Sequence, residues 1–582
     1  AGLALCAALW LVSQTATGTP VAEVRPIGDT IAYVPLDDRP VNTDRVVYLT
    51  ESLGYAVSLP DPDLYKTRLD GQPRNENGTG SGNRAALLTW VRAQDAAGCD
   101  LFLLSLDQLL SGGLVNSRSL WESTALHFPD GTTRTEMQAI DDFLLTLGDD
   151  PNNQILLLDT VMRLAPTVGY DGFGLDGYET LRGYGREPRP VLDGAPTVDD
   201  IIANYPLGMD GETLPVPAGL TQTDLDHYLA ARARKLRLID AVLEKTADKP
   251  QFQFLIGVDD SAADASVQTA ELAYLRQAVA GRGAVLSGAD ELGMMAVCKL
   301  YASTCDRLPT VTVRYFGGSE DSASSDYDHQ PMTEIVAQHL AYLGLTGVER
   351  DGDLQLLVLT APKDPGQAKR YCDGLIAALN ENEANGTPTL LMDAAKNQYG
   401  DTFQKKLVRE TNLGFLLGYG GFYDLANVTG VTLSNGVARW LYLMEADPSA
   451  VGQNRAFVRT LADSLIKDLC YKNRAKIDTA RYVKNELSGD PDNFSKTGTD
   501  TEDVLAFLRP ALEQDSRDVL DNLAGSNLLL SLSPYTEAGM CDIWMEDIDL
   551  PWQRVFEIRT SLHMGPFRKP LAYSAAIDPH FQ

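Results

Sequence analysis

Cysteine and histidine are scarce in this chain. Its 582 residues include seven cysteines and six histidines. No two cysteines form a CxxC pair, and no histidine lies near enough to one in sequence to indicate a zinc site. Cys298 and Cys305 could form a disulfide if the intervening turn brings them together, although buried free thiols are the simpler interpretation.

Motifs of several common enzyme classes are also missing. There is no GxSxG elbow, and none of the scattered histidines follows a predicted strand as the base of a catalytic triad would, which disfavours serine-hydrolase chemistry. The stretch SGGLVNSR (111–118) could offer backbone N–H groups to an anion, but it lacks the spacing of Walker and dinucleotide-binding loops. A tight turn is the simpler interpretation.

Basic residues are far outnumbered: 49 lysines and arginines face 80 acids, for a formal net charge of -31. Such a surface repels polyanions, so nucleic acid and anionic membranes are not expected partners. Most of the acids are expected to solvate the surface. Only those at the ends of predicted strands are candidates for function.

No apolar run reaches transmembrane length. The run from Ala1 to Val12 is followed by small residues, so residues 1–24 are interpreted as a secretory signal peptide that lacks its start. Cys6 follows Leu5, a poor match to a lipoprotein box. We therefore expect a secreted or envelope-associated protein whose mature chain does not insert into the membrane.

No internal repeat is evident, but one type of segment recurs: a short apolar run, a polar cluster, then an amphipathic stretch. Continuous apolar runs are typical of strands buried on both faces of a parallel sheet. The eight runs are at 31–36, 101–106, 154–159, 252–258, 284–288, 310–316, 354–360 and 389–394. The helices predicted between them include Asn83–Ala97, Thr223–Lys245, Ala265–Ala280 and Pro331–Leu343.

This alternation predicts an α/β fold, either a (β/α)8-type barrel or an open doubly wound sheet. We assign it to residues 25–440, with an insertion at about 165–222 that is rich in Gly, Pro, Tyr and Asp and is expected to overhang a pocket. Residues 441–582 are predicted to form a mainly helical region. It has helices in Phe457–Tyr471 and Val504–Leu523 and a small β element with a strand at 555–562.

Polar residues directly follow most of the predicted strands. Because the carboxyl ends of parallel strands share one edge, these side chains are expected to converge. A lone Asp after a strand is often a helix N-cap instead, which is the alternative for each of them. The strand-end candidates for substrate binding or catalysis are Asp37, Asp38, Asp107, Gln108, Asp159, Asp259, Asp260, Asp290, Glu291 and Asp393.

The adjacent pair Asp259-Asp260 is the strongest catalytic candidate. Two carboxyl groups in different environments can act as proton donor and anion, the division of labour that glycoside cleavage needs. Asp260 is assigned as the donor and Asp259 as the orienting group, with the reverse left open. Asp290 and Glu291 are assigned to the pocket wall, although GADELGMMAV also resembles a helix start.

Arginines and aromatic residues complete the predicted pocket. Arg39, Arg118 and Arg163 follow strand-end acids and would either bind substrate oxygens or neutralise the carboxylates. The segment GFLLGYGGFYDLAN (414–427) carries aromatic and polar groups that suit a sugar, or else it is a glycine-loosened loop with core aromatics. Its candidate residues are Tyr419, Phe422, Tyr423, Asp424 and Asn427.

The motifs together resemble a bacterial family described only as a domain of unknown function. They are VPLDDRPVN (34–42), SLDQLLSGGLVNSR (105–118), LLLDTVMRLAPT (156–167), GVDDSA (257–262), GADELGMM (288–295), LLMDAAKNQYGD (390–401), GYGGFYDLANVTG (418–430) and PWQRVFEIR (551–559). The chain departs from the family pattern at 422–424, where Trp-Asn-Thr is expected, and at 398–401, where Asn-Gly-Asp is expected. The Asp pair and the later Gly/aromatic/Asn loop are also similar to hexosaminidase-type glycosidase barrels.

Three functions are compatible with these features. The first is a secreted glycosidase, possibly of the hexosaminidase type, that needs no cofactor and acts on a glycan. The second is a hydrolase that binds Ca²⁺ or Mg²⁺ through Asp37, Asp38, Asp107 and Asp159. The third is a non-catalytic carbohydrate-binding protein of the cell envelope.

Overall fold

The computed structural model describes residues 29–119, 125–262, 266–322, 327–395, 398–422, 424–445, 451–526 and 542–565. The expected signal peptide at 1–24 lies outside these residues, as do Cys6, Tyr423 and Cys541. Cys99, Cys298, Cys305, Cys372 and Cys470 are free thiols.

The strands alternate with helices along the chain. In order they are β1 (Thr30–Val34), β2 (Ala56–Ser58), β3 (Leu101–Ser105), β4 (Leu126–His127), β5 (Thr133–Arg134), β6 (Gln154–Val161), β7 (Phe252–Val258), β8 (Gly283–Ser287), β9 (Thr310–Phe316), β10 (Thr346–Gly347), β11 (Leu354–Leu359), β12 (Thr389–Asp393), β13 (Leu416–Gly421), β14 (Asp542–Asp549) and β15 (Arg559–Gly565).

The helices are mostly amphipathic segments between these strands. They are α1 (Asp44–Ser52), α2 (Arg84–Ala96), α3 (Leu106–Ser111), α4 (Leu114–Ser117), α5 (Glu136–Gly148), α6 (Leu175–Arg186), α7 (Val198–Asn204), α8 (Gln222–Lys245), α9 (Gln268–Ala278), α10 (Leu292–Ala302), α11 (Met332–Leu343), α12 (Ala368–Asn385), α13 (Gly400–Glu410), α14 (Leu425–Glu445), α15 (Val451–Ser464), α16 (Lys476–Asn485), α17 (Phe494–Thr497) and α18 (Thr501–Ser526). Short 3₁₀ turns occupy Pro62–Leu64, Pro365–Gln367, Leu413–Phe415 and Pro551–Gln553, and a π-helix spans Leu465–Ala475.

Two parallel sheets organise the fold. The first has six strands in the order β2-β1-β3-β6-β7-β8, and the second has five in the order β10-β9-β11-β12-β13. All eight predicted apolar runs are strands, five of them in the first sheet and three in the second. The prediction of a parallel α/β fold is therefore confirmed, whereas closure into one barrel is not shown.

A shared hydrophobic core joins the two sheets. Helix α10 is buried along nearly its whole length, and it packs against α14. The same core includes Leu103 and Leu255 of the first sheet and Leu356 and Leu390 of the second. A helix that is apolar on all sides is typical of such a central position.

Two of the predicted helices begin directly after side-chain caps. Helix α2 begins after Asn83, whose side chain accepts a hydrogen bond from the backbone N–H of Ala86. Helix α8 begins after Thr221, which forms a capping box with Asp224. The observed helices agree with the predicted ones within a few residues.

The C-terminal part is mainly helical and contains the antiparallel β14–β15 hairpin. Buried ion pairs attach it to the first helix, because Arg45 of α1 contacts Asp463 and Asp468. The strand predicted at 555–562 is wrong in its start, since β15 begins at Arg559. Residues 555–558 do not enter a sheet, and Phe556 lines the candidate site together with Trp552 and Arg554 just before it.

Candidate functional site

A cavity of about 340 Å³ lies at the carboxyl edge of the first sheet. Its volume is at the lower end of those typical of small-molecule sites. Segments that are far apart in sequence form its wall, which is lined by Arg39, Leu114, Val115, Arg118, Arg163, Thr167, Val258–Asp260, Ser287–Asp290, Tyr327–His329, Asp424, Ala426, Asn427, Trp552, Arg554 and Phe556.

The two sheets contribute differently to this wall. Asp259 and Asp260 directly follow β7, and Asp290 lies three residues after β8, so the carboxyl edge of the first sheet supplies these three acids. From the second sheet, β13 leads into α14, whose first turns supply Asn427. The cavity therefore lies between the first sheet and the start of α14.

Three arginines in the wall are paired with carboxylates. Arg39 bridges two acids, with Nη2 2.7 Å from Asp37 Oδ2 and 2.5 Å from Asp290 Oδ1. Arg163 Nη2 lies 2.5 Å from Asp260 Oδ2, and Arg118 contacts Asp259. Pairing offsets the cost of burying these charges.

The adjacent carboxyl groups of Asp259 and Asp260 have different environments. The side chain of Asp260 is 24% exposed and that of Asp259 is 9% exposed. Burial raises the pKa of Asp259; the charge of Arg118 opposes this rise and the charge of Asp260 adds to it. Burial also acts to raise the pKa of Asp290, but the charge and hydrogen bonds of Arg39 outweigh burial and leave that pKa below its ordinary value.

Among the described lining residues, four side-chain polar atoms are buried without a hydrogen-bond partner: Arg118 Nε, Arg163 Nε, Asn427 Oδ1 and His329 Nε2. Burial lowers the pKa of His329 to about 4, so its imidazole is neutral at physiological pH. Nδ1 of His329 lies 3.3 Å from Ser287 Oγ. Unsatisfied buried atoms are costly, and a bound polar ligand would relieve that cost.

Several lining residues were not among the predicted site residues. Trp552, Arg554 and Phe556 come from the late PWQRVFEIR motif, whose family resemblance was the available signal. Two guanidinium groups contact the Trp552 indole: the Cζ atoms of Arg39 and Arg554 lie 5.1 Å and 4.5 Å from the ring centroid. Trp552 Nε1 also donates to Asp38 Oδ1 at 2.7 Å, which gives Asp38 a supporting position behind the wall.

Other predicted residues lie outside this cavity. Asp107 and Asp159 share the ammonium group of Lys235, and Gln108 is buried nearby in α3. Glu291 is buried with its Oε1 3.4 Å from His339 Nε2, and Tyr419 is buried in a hydrophobic cluster that includes Leu391 of β12. Thr167 from the predicted insertion does line the cavity, and Tyr178 accepts a hydrogen bond from Arg163.

The acids considered as Ca²⁺ or Mg²⁺ ligands are separated into different ion-pair networks. Asp37 is bound by Arg39, whereas Asp107 and Asp159 are bound by Lys235. Within the ranges that the structure describes, no group of three or more His, Cys, Asp or Glu side chains is arranged to hold a metal ion.

Asp393, another strand-end candidate, is buried at the end of β12, where its Oδ1 accepts from the backbone N–H of Ala395 at 3.1 Å. Burial raises its pKa to about 7, and Asp468 adds to that rise. A carboxyl group whose pKa is raised on folding contributes stability at low pH that is lost as the pH rises through the folded value. The charge of Asp393 is therefore expected to destabilise the protein above pH 7.

Asp393→Asn should remove this pH-dependent penalty, because the amide oxygen can still accept from Ala395. Compared with the wild type, the variant should gain on the order of 3 kcal/mol of unfolding free energy as the pH rises from about 4 to above 7. Urea unfolding across this range would measure the difference. Parallel stability curves for the two proteins would contradict the assignment.

The fold and the cavity define a class: a parallel α/β protein with a charged, small-molecule-sized pocket at the carboxyl edge of a sheet. The chain belongs to the family described as "Protein of unknown function (DUF4127)", whose model matches residues 31–561. Comparison with curated proteins and with solved structures found no match in either set, so the similarity to hexosaminidase-type barrels is not confirmed. No helix in the described ranges is long and apolar enough to cross a bilayer.

Proposed function

We propose that this protein is a glycoside-cleaving enzyme whose substrate binds in the cavity beside Asp259 and Asp260. The observation that carries the proposal is this adjacent carboxyl pair, which shares one cavity but differs in burial and in arginine partner. Glycoside cleavage requires one carboxyl group that donates a proton and one that acts as an anion.

The environments favour Asp259 as the proton donor. It is the more buried of the two, and its raised pKa favours the protonated form. Asp260 is more exposed, and its Oδ2 lies 2.5 Å from Arg163 Nη2, so it is assigned the role of the anion. From the sequence, Asp260 was assigned as the donor and Asp259 as the orienting group, with the reverse left open; we propose the reverse.

The remaining lining groups suit a carbohydrate. Asn427 and His329 offer unpartnered polar atoms to hydroxyl or acetamido groups, and Trp552 and Phe556 contribute aromatic surface to the wall. Such a mixture of a few placed polar groups with aromatic surface is typical of small-molecule sites.

A screen of aryl glycosides, including N-acetylhexosaminides, tests the proposal. The wild-type chain should release the coloured aglycone from at least one of them. Protein carrying Asp260→Asn, prepared in parallel, is the control for contaminating glycosidases. Equal release by both preparations, or release from no substrate, would contradict the proposal.

The arginine pairing supports a second candidate, a carbohydrate-binding protein without catalysis. Asp259, Asp260 and Asp290 each contact a guanidinium, so all three carboxylates could serve only to fix arginines that bind sugar oxygens. This protein would bind a glycan stoichiometrically with no product formed, even at high protein concentration.

A further inference from the structure

Arg554 differs from the other three arginines in the cavity wall. Arg39, Arg118 and Arg163 each contact a carboxylate. Within the described part of the chain, Arg554 makes no ion pair or side-chain hydrogen bond. Its guanidinium contacts only aromatic rings, at 4.5 Å from the centroid of Trp552 and 4.7 Å from that of Phe556.

No carboxylate in the described part of the chain forms an ion pair with this cation, although the charges of Asp492, Asp37 and Glu557 act on it. Burial and then the neighbouring charge of Arg39 outweigh these carboxylates and lower the pKa of Arg554 to about 10, which still leaves it protonated at neutral pH. A partly desolvated guanidinium without a counter-ion is unfavourable by itself, and an anion from a ligand would remove that penalty.

The chain holds Arg554 in place through a strained segment. Trp552 and Gln553 have φ values of 60° and 49°, in the left-handed region that residues other than glycine seldom adopt. Gln72 Nε2 donates to Trp552 O at 2.5 Å, and the Val555 backbone N–H donates to Pro491 O at 2.7 Å. Strain that the surroundings maintain in this way is concentrated at functional sites in proteins.

We infer that Arg554 is an anion-binding subsite of the cavity and that the substrate is a sugar carrying an acidic group, either a carboxylate or a phosphate ester. This inference rests on the proposed carbohydrate function. Planar guanidinium groups bind both kinds of anion through paired hydrogen bonds. The net charge of -31 disfavours a polyanion, so one acidic group at the subsite is expected.

Calorimetric titration of the full chain tests the inference without requiring turnover. The probes are glucuronate, galacturonate, mannuronate and glucose 6-phosphate, each compared with its neutral sugar. At least one acidic probe should bind the wild type about tenfold to a hundredfold more tightly than its neutral counterpart. Whether a uronate or the phosphate ester is preferred identifies the acidic group.

Variants establish whether Arg554 causes this preference. Arg554→Gln should abolish it, and Arg554→Lys should retain part of it because the cation remains. Arg481→Gln changes the same charge on the exposed surface and should bind like the wild type. A preference that survives in Arg554→Gln would overturn the inference.

The outcomes separate this inference from the proposed function. Equal binding of acidic and neutral sugars overturns the anion subsite and leaves the glycosidase proposal standing. Acid-selective binding through Arg554 with no cleavage of the matching aryl glycoside supports the subsite and overturns the enzyme. Binding of no sugar in the panel overturns the inference.

Discussion

Asparagine in place of Asp259 or Asp260 is expected to lower kcat/KM for an aryl glycoside by about a hundredfold to ten-thousandfold, the usual contribution of a general acid or base. Asparagine keeps the shape of the side chain but neither donates a proton as an acid does nor carries the negative charge. Asp199→Asn is the control, because Asp199 is an exposed acid that does not line the cavity. Urea unfolding should show all three variants folded, and full activity in both cavity variants would reject the assignment.

Substitution of the arginine partners tests which aspartate is the proton donor. A donor must be protonated, so activity falls as the pH rises through its pKa. Arg118→Gln removes the charge that opposes the raised pKa of Asp259 and should move the alkaline limb of the pH–rate profile upward. Arg163 lowers the pKa of Asp259 less than Arg118 does, so Arg163→Gln should move the limb by less, and a larger shift in Arg163→Gln than in Arg118→Gln would contradict the assignment of Asp259. The pair of profiles therefore distinguishes the two assignments.

The parallel strands could be predicted from sequence because burial on both faces leaves continuous apolar runs. Their division between two sheets could not, since hydrogen-bonded neighbours such as β1 and β3 are selected by long-range packing. Strand β13 was interpreted as a possible glycine-loosened loop. Two of its glycines are required by the close approach of α14, because a Cβ at Gly418 would lie 2.8 Å from Thr432 O and a Cβ at Gly420 would lie 2.5 Å from Thr432 Oγ1.

The candidate site was predictable where a strand-end acid pairs with an arginine that itself lies in the cavity wall. Asp259, Asp260 and Asp290 reach the cavity directly from β7 and β8. The same pattern fails after β3 and in β6, because Lys235 arrives from α8 and binds the carboxylates there. No local sequence pattern around Asp107 predicts that Lys235, 128 residues later in the chain, will pair with it.

Arg554 is a cavity residue that sequence analysis missed, again because of a contact between residues distant in the chain. Its position depends on Trp552, which is held by Asp38, a residue 514 positions earlier. The family motif at 551–559 contains Trp552 and Arg554, but the strand predicted nearby covered 555–562 and included neither residue. Trp552 and Gln553 have left-handed backbone conformations, and β15 begins only at Arg559.

Lys235→Met is expected to lower the unfolding free energy by about 3–5 kcal/mol at neutral pH, because it leaves two buried carboxylates without their cation. Lys235 Nζ contacts Asp107 and lies 3.2 Å from Asp159 Oδ1, and Thr160 Oγ1 donates to Asp107 at 2.9 Å. Lys245→Met is the matched control on the same helix, since the Lys245–Asp141 pair is exposed to solvent. It should cost at most about 1 kcal/mol.

The destabilisation caused by Lys235→Met should depend on pH in a defined direction. Burial already raises the pKa of Asp159 to about 7 against the opposing charge of Lys235, and Asp107 adds to the rise. Without the lysine that pKa must rise further, so protonation at low pH relieves the variant and ionisation above pH 7 worsens it. Adding Asp107→Asn and Asp159→Asn should restore most of the lost stability, because no unpaired charge then remains buried. Urea unfolding on both sides of pH 7 measures these differences, and a loss no greater than that of Lys245→Met would show that Lys235 does not neutralise this cluster.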